Sequence, residues 1–212
     1  MVGPSSSHTA GAARIGLTAR MLLGEAVAMA DIHFHGSFAK TWRGHGTDRA
    51  IIGGLMGMQV DDLRIRDSLH LAQAAGMAFA FSPIKLRDAH PNTVRLHLIG
   101  VSGRVLDMDA ASVGGGLIKI TRLDGMNVDF SGKENTLIIH HRDTPGVIAA
   151  VTTCLAENHV NIGTMQVYRH QVGADAMMVI ELDSILDEGT LDSIHSLTDI
   201  QTAEFLKGRE SQ

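Results

Sequence analysis

A polar, turn-rich stretch, Ser131-Gly132-Lys133-Glu134-Asn135, splits the chain into two parts with different hydrophobic patterns. Beyond it, Thr136 to His141 reads as a strand, and Asp143-Thr144-Pro145-Gly146 opens a helix. Thr144 is suited to cap that helix, and Pro145 at the first helical position loses no needed N–H. Ile148, Val151 and Leu155 mark its buried face. Ile162 to Gln171 and Ala174 to Asp183 pair as a hairpin around Val172-Gly173. Asp187 to Leu197 is a short helix, and Asp199 to Leu206 closes the set. That strand–helix–strand–strand–helix–strand order is the ferredoxin-like split βαβ plan. A unit of roughly 75 residues buries its own core, though marginally.

The part before the break reads as mixed α/β, so the chain as a whole is of the α+β class. The expected division is a first domain over 1–130, a linker over 131–135 and a second domain over 136–212. After Ser5-Ser6-Ser7-His8-Thr9, the residues Ala12, Ile15, Ala19, Leu22 and Leu23 recur at the spacing of one helix face. Asp31 to His35 alternates polar and apolar, a half-buried strand. A second helix follows Gly44-His45-Gly46-Thr47-Asp48, with Ile51, Leu55 and Met58 on one side. Gly53, Gly54 and Gly57 each lower its propensity by about 1 kcal/mol, which predicts another backbone packed very close. Asp67 to Met77 reads as a third helix. Ala78 to Ile84, Thr93 to Ile99, Val105 to Met108 and Leu117 to Leu123 read as strands.

Composition narrows the function. The net charge of −5 and a pI near 6.1 argue against a non-specific nucleic-acid or membrane-surface binder. No apolar run approaches the roughly 20 residues that span a bilayer, and no signal-peptide pattern opens the chain, so a cytoplasmic location is expected. The single cysteine, Cys154, excludes internal disulfides and a cysteine-built zinc finger. It also cannot hold an iron–sulfur cluster by itself, and its place on the helix after Gly146 suits a small core residue.

Two runs carry chemistry. Gly3-Pro4-Ser5-Ser6-Ser7-His8-Thr9 leads straight into a helix, whose N-terminus offers unpaired N–H groups and partial positive charge to an anion. Its hydroxyls and imidazole add donors for a carboxylate or phosphate, although one serine as a plain N-cap is the simpler alternative. The second run, Gly44-His45-Gly46-Thr47-Asp48, also opens a helix. Its glycines leave His45 accessible, and an imidazole titrating near 6.5 suits a general base; the alternative is an exposed loop histidine with Asp48 as a helix-start charge. Two such loops in one small domain favour a shared cleft. His33 and His35 share a strand face and have metal-ligand spacing, but no third ligand stands close in sequence, and His140 and His141 point to opposite faces. No metal site is expected on this chain.

Gly3 to Gly11, then Gly36-Ser37-Phe38-Ala39-Lys40-Thr41 and Gly44 to Asp48, resemble the beta chain of bacterial iron–sulfur-dependent L-serine dehydratase over essentially the whole sequence. Arg142-Asp143-Thr144-Pro145-Gly146 and Asn161-Ile162-Gly163 resemble an ACT domain, a ligand-binding module of amino-acid enzymes. The family has a short lead-in before the serine-rich loop, whereas Met1 lies almost on it; either the start is placed late or the loop is less firmly anchored. The resemblance implies a first domain of the allosteric substrate-binding type and a two-chain enzyme converting L-serine to pyruvate and ammonia. It places a [4Fe–4S] cluster, a Lewis acid toward the substrate oxygens, on the alpha chain. His45 matches the family's catalytic base, and Thr47 and His8 its neighbours around the substrate. The residue reading adds Ser5, Ser6, Ser7, Thr9 and Asp48 to the substrate site.

Dehydrating serine requires removal of a weakly acidic α-proton and departure of hydroxide, after which the aminoacrylate tautomerises and hydrolyses. His45 would take the proton, Thr47 and helix N–H groups would orient the carboxylate, and His8 would hydrogen-bond the substrate or leaving oxygen; whether His45 or His8 is the base stays open. In the second domain Asp143, Gly146, Asn161 and Ile162 are the expected effector site; the resemblance implies L-serine as ligand and edge-to-edge dimerisation coupled to binding, the alternative being a dimerisation unit with an empty site. The rival readings are a non-catalytic amino-acid-sensing subunit and a hydrolase built on His33 and His35.

Overall fold

The computed structural model describes residues 8–208. The chain forms two compact units, Met1–Ser131 and Gly132–Gln212. The first holds a six-stranded sheet in the order β2-β1-β3-β4-β5-β6, from β1 (Val27–His35), β2 (Ala78–Ile84), β3 (Thr93–Gly100), β4 (Val105–Gly114), β5 (Leu117–Leu123) and β6 (Met126–Phe130). β1 and β2 run parallel; the other neighbours are antiparallel.

Strand alternation gives this sheet two chemically different faces. Ile32, Leu96, Met108, Leu123 and Met126 lie in cross-strand register and are buried. One residue along, the row is polar: Ser82, His33, Arg95, Asp109, Arg122 and Asn127. There Arg95 makes a two-pronged ion pair with Asp109, Nε and Nη2 each 2.7 Å from a carboxylate oxygen. β4 outruns its sequence expectation because Asp109-Ala110-Ala111-Ser112, poor in strand propensity, is paired by β3 on one side and β5 on the other.

Helices α1 (Ala10–Leu23) and α3 (Thr47–Leu55) cross at glycines. A Cβ on Gly54 would lie 2.1 Å from the Ala13 carbonyl oxygen, and one on Gly16 would lie 2.2 Å from that of Ile51. The close backbone approach expected of the glycine-rich helix therefore occurs, and Gly54 mediates it. Gly53 instead faces the Ile65 side chain, and Gly57 stands past the helix end at φ 84°. The expected third helix divides into a 3₁₀ turn, Leu63–Asp67, and α4 (Ser68–Ala74); the Asp62 carboxylate accepts the Arg64 N–H and starts the tighter turn. A short helix absent from the sequence reading, α2 (Gly36–Thr41), is anchored by Phe38, fully buried against Phe34; burial of such a ring contributes about 1.5–3 kcal/mol.

The second unit has the sheet order β10-β7-β9-β8, from β7 (Asn135–Arg142), β8 (Ile162–Arg169), β9 (Asp175–Leu182) and β10 (Ile200–Leu206), with α5 (Val147–Glu157) and α6 (Glu188–His195). Leu137, Ile139, Val151, Leu155, Met178, Ile180 and Ile194 form its core. Two details differ from expectation. α5 starts at Val147 behind Gly146, whose φ of 97° makes it the cap; Pro145 lies outside the helix, and the Thr144 hydroxyl donates to Asp199 at 2.8 Å instead of capping. Ile148 is 46% exposed, and Val147 and Cys154 join Val151 and Leu155 on the buried face. No helix among the described residues is long and apolar enough to cross a membrane.

Candidate active site

The starts of α1 and α3 meet, because both helices run the same way from their glycine crossing. The rings of His8 and His45 stand 4.9 Å apart between centroids, and the Thr9 hydroxyl donates to the His45 carbonyl at 3.4 Å. α2 supports His8 from the other side: Ser37 Oγ lies 3.3 Å from its Nε2, and Phe38 packs edge-on at 5.3 Å. The His45 loop is held by its backbone, with His45 N–H donating to Thr41 O at 3.0 Å and Thr47 N–H to Trp42 O at 2.9 Å. Gly46, at φ 67°, supplies the left-handed residue that turns the chain into α3.

Burial and charge separate the groups. His45 is exposed, whereas His8 is half-buried. Burial, and then the nearby His45, hold the His8 pKa below its ordinary value, so His8 favours the neutral imidazole. Thr47 is fully buried and its Oγ1 has no hydrogen-bond partner among the described residues. Asp48 is almost as buried; its carboxylate accepts the Arg49 N–H at 2.8 Å, and burial raises its pKa. Thr9 is the N-cap of α1, but its own side chain makes no capping hydrogen bond. The structure thus brings His8, Thr9, His45, Thr47 and Asp48 to one place. Ser5, Ser6 and Ser7 lie outside the described residues. Ser37 and Phe38, which touch His8, had no role in the sequence reading beyond membership of a motif.

The paired strand histidines, His33 and His35, are hydrogen-bonded within the first unit. His33 Nδ1 lies 2.6 Å from Ser82 Oγ, and His35 Nδ1 accepts the Leu86 N–H at 3.1 Å. Among the described residues no group of three or more His, Cys, Asp or Glu is arranged for a metal ion. Cys154 is buried, and burial pushes its thiol pKa up, away from the thiolate a metal needs. An iron–sulfur cluster does not fit these residues. A cavity of about 440 Å³ opens over the polar sheet row, between Arg87, Arg95, Asp109 and Arg122, and the imidazole pair is not part of it.

Residues 1–78 match the family model "Serine dehydratase beta chain", and residues 135–199 match "ACT domain". The "Probable L-serine dehydratase, beta chain" of Bacillus subtilis is 42% identical over 94% of this chain and 90% of its own length. The "L-serine dehydratase, beta chain" of Peptoniphilus asaccharolyticus is 34% identical over 98% and 94%. The chain belongs to the serine dehydratase beta-chain family. A "D-3-phosphoglycerate dehydrogenase" of B. subtilis, 25% identical over 92% of this chain, is matched over only 37% of its own length. In this beta chain the second unit is an ACT domain, but one copy does not gather the four expected effector residues. Asp143 follows β7 and is held by Arg169 Nη1 at 2.7 Å and the Gly173 N–H at 3.0 Å. Asn161 precedes β8 and donates to Asp183 at 2.5 Å. β7 and β8 both run antiparallel to β9, so Asp143 and Asn161 sit at opposite ends of the sheet, roughly 26 Å apart along an eight-residue strand. Gly146 lies with Asp143, and Ile162, paired with Leu182, lies with Asn161.

Proposed function

We propose that this chain is the beta subunit of a two-chain, cytoplasmic L-serine dehydratase that converts L-serine to pyruvate and ammonia. A [4Fe–4S] cluster is assigned to the alpha chain, where it supplies Lewis-acid chemistry. The observation that carries the reading is the imidazole pair at two converging helix starts. His45, exposed at the mouth, takes the α-proton. His8, held neutral and supported by Ser37, accepts or donates a hydrogen bond at the departing oxygen. The first-turn amides of α1 and the Thr47 hydroxyl orient the carboxylate.

The alternative, a sensor subunit with no part in turnover, needs amides and hydroxyls for a carboxylate but has no use for two adjacent imidazoles. For the ACT domain we propose serine-linked dimerisation through β8. That strand is a sheet edge and largely exposed. Antiparallel pairing of two β8 edges sets the Asn161 end of one copy beside the Asp143–Gly146 end of the other, which makes one composite site from two half-sites. The test of the main reading is anaerobic co-expression with the alpha chain, assayed for pyruvate from L-serine. Sustained pyruvate release supports it; an assembled, cluster-loaded pair that releases none refutes it.

A further inference from the structure

Ser112, near the end of β4, has a hydroxyl that is fully buried and has no hydrogen-bond partner among the described residues. Most buried polar atoms in folded proteins are paired, and alanine would fill the same space without leaving a donor unused. The hydroxyl lies against the first turn of α1: a Cβ on Gly11 would stand 2.0 Å from Ser112 Oγ. A Cβ there would also lie 2.6 Å from the Ser112 Cβ, so a bare Gly11 lets the Ser112 side chain pack directly on the first turn of α1. The strand is pinned there by the Ser112 N–H, which donates to Asn92 O at 3.0 Å. The following Gly114-Gly115-Gly116 turn, all at positive φ, brings Gly116 to the Ala10 methyl, 3.7 Å from where its own Cβ would be. Thr9, the N-cap residue, makes no side-chain hydrogen bond to the α1 amides. Thr47, at the adjoining start of α3, carries a second buried hydroxyl without a partner among the described residues.

We infer that Ser112 is a substrate-binding residue whose hydroxyl donates to the carboxylate of an α-amino acid seated on the first-turn amides of α1. The assignment rests on the dehydratase reading for the identity of the ligand. The first-turn amides and the Ser112 hydroxyl select a carboxylate, with His8 and His45 at the same helix starts. Ser112 makes no covalent contribution, so its loss weakens binding and leaves the proton transfer intact.

The test is steady-state kinetics of the co-purified pair containing Ser112→Ala or Gly11→Ala, together with thermal melting of each full chain without substrate. With Ser112→Ala, KM for L-serine rises roughly ten- to a hundredfold, kcat changes little, and the melting temperature is unchanged or higher, because an unpaired buried hydroxyl is gone. Gly11→Ala, whose methyl would lie 2.0 Å from the hydroxyl and 2.6 Å from the Ser112 Cβ, raises KM and, unlike Ser112→Ala, lowers the melting temperature. An unchanged KM for Ser112→Ala in an active pair overturns the assignment and leaves a packing hydroxyl. If the wild-type pair releases no pyruvate, the dehydratase reading fails separately. Equilibrium dialysis of L-serine against the full chain then decides Ser112: weaker binding by the variant upholds it, and equal or absent binding overturns it.

Discussion

Gly54→Ala tests the crossing that brings the two helix starts together. The new methyl would meet Ala13 O at 2.1 Å, Leu17 N at 2.5 Å and Gly16 C at 2.9 Å, all backbone atoms that cannot rotate away. Restoring the 3.4 Å of ordinary contact at the first of these requires the helices to part by about 1.3 Å. Overpacking typically costs about 1–3 kcal/mol, and a backbone-to-backbone clash belongs at the upper end. The gain in helix propensity offsets about 1 kcal/mol. The expected net loss is about 2 kcal/mol. Gly44→Ala is the control: its nearest neighbour stands 3.7 Å away, so the stability change should be zero or a gain of up to about 1 kcal/mol. Gly53→Ala, which meets only the movable Ile65 side chain at 2.8 Å, should fall between. Urea unfolding followed by the fluorescence of Trp42, packed on Phe34 and Phe81 in the same unit, measures all three. A Gly54→Ala chain as stable as Gly44→Ala would refute the packing argument.

His8 adds a pH dependence to stability. Its folded pKa is depressed, so stability is full above the ordinary histidine value of about 6.5 and declines as pH falls through the depressed value. Urea midpoints compared near pH 8 and pH 5.5 should show a smaller drop in His8→Gln, and an equal drop removes His8 as its source. The chain purified without its partner should be colourless and release no pyruvate; a brown, active preparation contradicts the two-chain reading. Residues 1–133 paired with the alpha chain should keep turnover with an altered serine dependence, reflecting a coupling of about 1–3 kcal/mol. Complete loss of turnover despite normal assembly would contradict a purely regulatory ACT domain.

The second unit was readable because each of its elements has a clean period and a turn residue at its end. β6 and α2 were not. Gly36–Thr41 spans fewer than two helical turns, too few to show a period, and Phe38 fixes it only through contact with Phe34. The two loops could be read as helix starts from Ser7-His8-Thr9 and Gly46-Thr47-Asp48, but their meeting depends on the Gly16 and Gly54 contacts between distant segments. Ser37 and Ser112 gave no signal, since a small hydroxyl residue in a helix or strand is ordinary until its neighbours are known. Thr144 misled for a related reason: its sequence position suits a cap, yet Asp199, 55 residues away in the chain, claims its hydroxyl.

The most direct test of the central claim, that this chain supplies the base, is kcat of the reconstituted pair carrying His45→Ala. The histidine is exposed in a glycine-flanked loop, so assembly with the alpha chain should be normal by co-purification. General-base catalysis contributes typically 10²–10⁴-fold, and kcat should fall by about that factor or more. An assembled His45→Ala pair with near-wild-type turnover would contradict the account and favour a sensor subunit.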